Sequence, residues 1–318
     1  MGGDAVESVP TPFDRKGPVA AADSRTSAEG STGFAHTSHG GAAMTVWLHD
    51  RLVAPEDARV SVFDHGFTVA DGVFETLKVT RGRPFALSRH LRRLHRSATT
   101  LGLPEPDLDA IRNAVDETVA ANAATAGELA RLRVTYTAGA GPLGSDRGQG
   151  EPTLVVAMTT MQRWPDSAWV ITVPWPRNER GALVGVKSTS YADNVRALAQ
   201  ARQVGASEAL LPDTQGRLCE GTGSNVIVVR DGQAITPTLA TGALPGITRE
   251  LVLEWFDVIE RDLPIEELTE AEEVWLTSST RDIQRVHRLD DREWDAAGLT
   301  GTATQQAFAQ RAAADPDP

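Results

Sequence analysis

The chain has 318 residues, of which 41% are hydrophobic and 23% charged. That suits two domains of ordinary size with a real core. A net charge of −12 with a single cysteine, Cys219, excludes an internal disulfide framework and disfavours non-specific nucleic-acid binding, which needs a basic surface. No apolar run approaches the length of a membrane span and no secretory signal opens the chain. A cytoplasmic, enzyme-sized protein acting on a small molecule is expected, with no metal, nucleic-acid or membrane partner.

Residues 1–43 are rich in Gly, Ala, Ser, Thr and Pro, too poor in apolar surface to offset ordering entropy. They read as a disordered extension, dispensable for activity, before a folded part that begins near Met44. Val46–Leu48 and Leu52–Val53 flank the turn His49-Asp50 as a hairpin. Further strands are expected at 58–63 and 73–79. Ser88 is a candidate cap for a helix carrying Leu91, Leu94, Ala98 and Leu101, and a second helix runs over 107–121. Strands at 129–137 and 153–158 complete a first α+β domain over 44–173.

The irregular stretch 174–185 reads as an interdomain linker, followed by a larger domain over 186–300. Its expected elements are helices at 192–204 and 247–255 and strands at 208–211, 226–229 and 273–276. Asp231-Gly232 marks a hairpin turn. The tail 301–318 is Ala-rich and ends in Asp-Pro-Asp-Pro, so fraying is expected there.

Gly139, Gly141 and Gly144 match a dinucleotide-binding spacing, but Pro142 and Gly148 keep the chain in a loop, and that fingerprint needs a helix behind it. A flexible loop, a candidate active-site cover, is the better reading. The basic residues comprise three lysines and 28 arginines. A lysine amine can shed its proton and attack a carbonyl, which guanidinium cannot do. Lys16 lies in the extension, and Lys78 sits in a strand on what reads as a solvated face. Lys187 follows an apolar approach and precedes Tyr191 by four residues.

Two downstream segments suit an anion. Leu244-Pro245-Gly246-Ile247-Thr248-Arg249 opens a helix whose first N–H groups lack internal partners, and 277–280 offers four hydroxyls. Arg92, Arg93 and Arg96 add cations on one helix, and Glu220 brings a carboxylate beside flexible backbone. A carbonyl-binding lysine, a tyrosine, an acid and a phosphate cradle together describe a pyridoxal 5′-phosphate site.

From about Val46 to Leu289 the chain resembles the class IV aminotransferases, the fold-type IV pyridoxal phosphate enzymes. The likeness rests on Asp71–Thr76, His90–Leu94, Lys187 with Tyr191, Glu220–Asn225, Leu244–Arg249 and Thr277–Thr280. It implies a two-domain α+β fold, with a smaller N-terminal α/β domain and a larger C-terminal β-rich domain with helices, and a homodimer. It also implies that Lys187 bears the cofactor, that Glu220 pairs with the pyridine nitrogen and that Tyr191 lies near the phenolic oxygen. Arg93, Ile247, Thr248 and Ser279 or Thr280 would hold the phosphate, and Leu244 would pack on the ring. Phe74 and Arg133 fall at substrate-pocket positions, and Arg147 is a candidate carboxylate trap in a loop without histidine. The overall likeness favours aminodeoxychorismate lyase, which releases 4-aminobenzoate for folate synthesis. A transaminase acting on branched-chain or D-amino acids is the alternative.

Overall fold

The computed structural model describes residues 44–294 and 299–318. The expectations for residues 1–43 lie outside them. Two sheets carry the fold. The first holds β1 (Val46–Leu48), β2 (Arg51–Val53), β3 (Gly72–Thr80), β4 (Arg83–Pro84), β5 (Leu129–Thr137) and β6 (Thr153–Thr160), in the antiparallel order β2-β1-β6-β5-β3-β4. The register of β3 against β5 decides what faces the site. Thr76 lies opposite Arg133 and Lys78 opposite Arg131. Side chains alternate across a strand, so Phe74, Thr76, Arg131 and Arg133 share one face.

The other face of this sheet presents Val73, Leu77, Leu132 and Val134, all fully buried. Against it pack α2 (Leu87–Leu101) and α3 (Leu108–Ala121), through Leu91, Leu94, Ile111 and Val115. Asp107 caps α3, accepting from the Ala110 N–H at 2.9 Å. Glu75 is the one charged residue of β3 on this buried face, and it meets α2.

The second sheet contains β7 (Ser167–Thr172), β8 (Glu208–Pro212), β9 (Leu218–Gly221), β10 (Asn225–Arg230), β11 (Gln233–Thr236), β12 (Val258–Glu260), β13 (Glu273–Ser278), β14 (Asp282–Leu289) and β15 (Arg292–Glu293). Asp231 and Gly232, at φ 51° and 73°, make the β10–β11 turn. The remaining helices are α1 (His65–Thr68), α4 (Ala192–Gln203), α5 (Ile247–Trp255) and α6 (Leu299–Ala314).

Five expectations change. The stretch 58–63 is not a strand; it exposes Val62 and Phe63 and ends at Asp64, which caps α1. Residues 167–172, assigned from sequence to the first domain, pair with β14 and β8 of the second sheet. Lys78 is not solvated: its ammonium binds both Asp282 oxygens at 2.5 Å. Ser88 does not cap α2, because the helix begins at Leu87 and the carboxylate of Asp317 accepts from the Ser88 N–H at 2.8 Å. The tail is helical as α6, and Phe308 is fully buried between Phe85 and Trp255.

Candidate active site

A cavity of about 570 Å³ lies between the two sheets, lined by residues of β3 and β5 on one side and of β9, α5 and the β13–β14 turn on the other. Lys187 enters it from an irregular segment fixed to β3: Lys187 O accepts from the Phe74 N–H at 3.0 Å, and the Thr189 N–H donates to Gly72 O at 2.8 Å. The Lys187 amine lies 3.2 Å from the Tyr191 hydroxyl and 4.5 Å from the Phe74 ring centroid. Phe74 and Tyr191 meet edge to face at 5.0 Å, which holds both rings beside the amine.

Glu220 is the penultimate residue of β9 and is buried. Burial raises its pKa, opposed by the Arg177 guanidinium 3.1 Å from Oε1 and by the Leu244 N–H donating to Oε2 at 2.9 Å. Arg177 in turn donates to Asn194 Oδ1 at 3.3 Å.

At the far end, Gly246 precedes α5 as its N-cap residue, with no side-chain cap. A Cβ on Gly246 would fall 1.9 Å from Asn225 Oδ1, so only glycine lets the backbone approach this closely. Ile247 and Thr248, whose N–H groups open this helix, line the cavity, and such a terminus suits an anion. Arg93 reaches the same place from α2, with one N–H on Pro245 O at 2.9 Å. The Thr248 and Thr277 hydroxyls and Arg177 Nε are buried without hydrogen-bond partners, and all three residues line the cavity. Buried polar atoms are rarely left unpaired. The lining has five basic side chains against two carboxylates. These orphaned donors and this charge fit an anionic, phosphate-bearing cofactor.

Phe74, Arg93, Arg133, Lys187, Tyr191, Glu220, Leu244, Ile247, Thr248, Ser279 and Thr280 all line this one cavity. Arg133 stacks on Phe74, its guanidinium carbon 3.7 Å from the ring centroid. Arg147 is the exception. It is absent from the lining and forks onto both Asp71 oxygens at 2.5 Å, with Leu101 O and Gly102 O also accepting from it. The glycine loop that bears Arg147 is tied to the chain before β3: the His65 N–H donates to Gly139 O and the Gly141 N–H to Phe63 O. None of its residues lines the cavity of its own chain.

Sequence reasoning missed Arg177, Arg131 and Asn194. Arg177 comes from the aperiodic crossing segment, where nothing in the local pattern separates it from a surface cation. Arg131 was detectable: it stands two residues before Arg133 in a strand whose intervening residues are apolar.

A family model described as amino-transferase class IV matches residues 72–289. A putative branched-chain-amino-acid aminotransferase of Methanocaldococcus jannaschii is 35% identical over 259 residues, covering 78% of this chain and 89% of that protein. A bifunctional aminodeoxychorismate lyase / D-amino acid transaminase of Mycobacterium tuberculosis is 29% identical, covering 84% and 96%. The crystal structure of a branched-chain aminotransferase from Thermoproteus uzoniensis with norvaline superposes with a TM-score of 0.78 at 28% identity, covering 84% and 94%. With its two sheets, its lysine-bearing cavity and a match over most of its length, the chain belongs to the class IV aminotransferases, an α+β family of pyridoxal phosphate enzymes.

Proposed function

We propose that this protein is a transaminase that moves the amino group of a branched-chain amino acid to a 2-keto acid. The lyase reading favoured by the overall sequence likeness gives way to its alternative. The observation that carries the proposal is the placement of two cations on one ring, Arg133 at 3.7 Å and Lys187 at 4.5 Å from the Phe74 centroid. A substrate whose amino group lies at Lys187 presents its carboxylate to Arg133, as amino acids and keto acids require. Arg133 and Arg131 have no carboxylate partner among the described residues, so both are available to substrate. Leu183, Val184 and Val186 supply an apolar wall for an aliphatic side chain. The similarity to branched-chain aminotransferases supports the same reading.

Pyridoxal phosphate, when bound, supplies a carbonyl that accepts the amino group and a ring that takes up electrons from the substrate carbon. The chain's residues do the rest. Lys187 would hold the carbonyl end and carry a proton at Nζ, with Tyr191 orienting the amine. Glu220, held by Arg177 and the Leu244 N–H, would place negative charge at the ring nitrogen. Leu244 would pack on the ring. Arg93, the N–H groups of Ile247 and Thr248, and the hydroxyls of Thr248, Thr277, Ser279 and Thr280 would bind the phosphate.

A second copy of the chain is proposed to cover the exposed apolar patch of Val62, Phe63, Phe67 and Leu143, which are 51–76% exposed. The backbone bonds between Phe63, His65 and the glycine loop make these residues neighbours. The deciding experiment pairs two assays: keto-acid-dependent consumption of L- and D-amino acids, and 4-aminobenzoate release from aminodeoxychorismate. Turnover of leucine, isoleucine or valine, with KM raised about tenfold in Arg133→Ala, supports the reading. Exclusive 4-aminobenzoate release overturns it.

A further inference from the structure

Behind the phosphate end of the cavity stand three residues in a row. His90 Nδ1 lies 2.6 Å from Glu75 Oε2, and His90 Nε2 lies 3.1 Å from Ser279 Oγ. Glu75 comes from β3, His90 from α2, and Ser279 from the turn after β13. Glu75 and His90 are fully buried, while Ser279 lines the cavity.

The hydrogens in this row can be assigned from chemistry. Burial would push the Glu75 pKa up, but the Arg93 fork at 2.8 and 2.6 Å and the His90 contact outweigh it and bring it to about 2. Glu75 is therefore a carboxylate, which only accepts, so His90 Nδ1 carries a hydrogen. Burial lowers the pKa of His90, and although Glu75 opposes this, Arg93 on its own helix and Lys187 across the cavity reinforce it. These influences favour the neutral imidazole, in which Nε2 is bare. Ser279 must donate its only hydrogen to Nε2, which leaves lone pairs facing the cavity. A phosphate dianion also offers only acceptors, so the two repel. A proton on Nε2 reverses the bond: Nε2–H donates to Oγ, and the hydroxyl hydrogen turns to the cavity.

We propose that Glu75 and His90 are positioning residues that tie the direction of the Ser279 hydroxyl to the proton on His90, so that a phosphate dianion enters the cavity together with one proton from solvent. The proposal rests on the reading that Ser279 belongs to the phosphate cradle. Glu75 acts at a distance from the ligand, by fixing the tautomer; the incoming negative charge offsets Arg93 and Lys187 and makes the imidazolium stable.

The test is calorimetry of pyridoxine 5′-phosphate, which has no carbonyl, binding to the full chain freed of cofactor. Measurements near pH 8 in buffers of different ionisation enthalpy give the protons taken up. The wild type should take up about one proton more than either Ser279→Ala or His90→Gln. Ser279 is only half-buried, so its alanine variant gives a fold-independent reading should His90→Gln not fold. Binding by the wild type with the same proton uptake as Ser279→Ala overturns the proposal while leaving the cradle intact. No saturable binding by the wild type overturns both.

Discussion

Arg177 and Glu220 form an ion pair 3.1 Å across at the edge of the cavity, and Arg177 is the strongest charged partner of Glu220 there. Glu220 already has a raised pKa because burial outweighs Arg177. Its ionised form is therefore present at high pH and is lost early as pH falls. Removing the guanidinium in Arg177→Gln lifts this pKa further, so the acidic limb of the kcat/KM profile should move to higher pH. The loss should be larger at pH 6 than at pH 9. A uniform loss across that range would show that Arg177 acts on substrate instead.

Lys187→Ala should abolish borohydride trapping of the cofactor and its lysine-bound absorbance band. The other cavity residues would still hold the phosphate, so weak non-covalent binding should remain, measurable by equilibrium dialysis. Trapping at Lys78 is not expected, because Asp282 holds that amine at 2.5 Å.

Glu75 joins a helix to a strand through a buried charge cluster, and breaking such a cluster typically costs about 3–5 kcal/mol. Glu75→Gln should lose stability of that order in urea unfolding at pH 7. The sign with pH follows from the lowered pKa, about 2 against an ordinary 4.5. The stabilisation is complete above the ordinary value and is lost as pH falls towards 2. The wild-type advantage over the variant should therefore shrink below about pH 4.5.

Arg147→Ala should leave substrate KM within about a factor of two of the wild type, because the side chain is committed to Asp71 and to two carbonyls. The variant should instead lose thermal stability. A large KM effect would place Arg147 in the substrate's path.

Phe308→Ala should destabilise the protein by about 3–5 kcal/mol, since the ring is fully buried against Phe85 and Trp255 at 6.2 and 5.1 Å. Asp317→Ala should cost about 1 kcal/mol, because the first-turn Ser88 N–H of α2 loses its acceptor. Both are read from urea midpoints, and neither touches the cavity.

Much of this protein is legible in its sequence because the signal is local. The exact span 129–137 and the helix 247–255 follow from alternation and from Pro245-Gly246 ahead of an apolar run. Lys187 with Tyr191, and Gly246 ahead of Ile247 and Thr248, can be read for the same reason: chemistry and spacing lie within a few residues. What tertiary structure decided depends on partners far apart in the chain. Lys78 reads as solvated in the sequence because its partner Asp282 is 204 residues away. Ser88 reads as a cap because Asp317, the carboxylate that takes its N–H, lies 229 residues on. Arg147 offered the same charge as Arg133, and only the fold separates them: strand register turns Arg133 onto the cavity face, while Asp71 captures Arg147. Composition and periodicity determine which residues are available and which face of an element is apolar. Which charges meet is set by the packing of the two sheets, because a long side chain pairs with whatever the fold brings within reach.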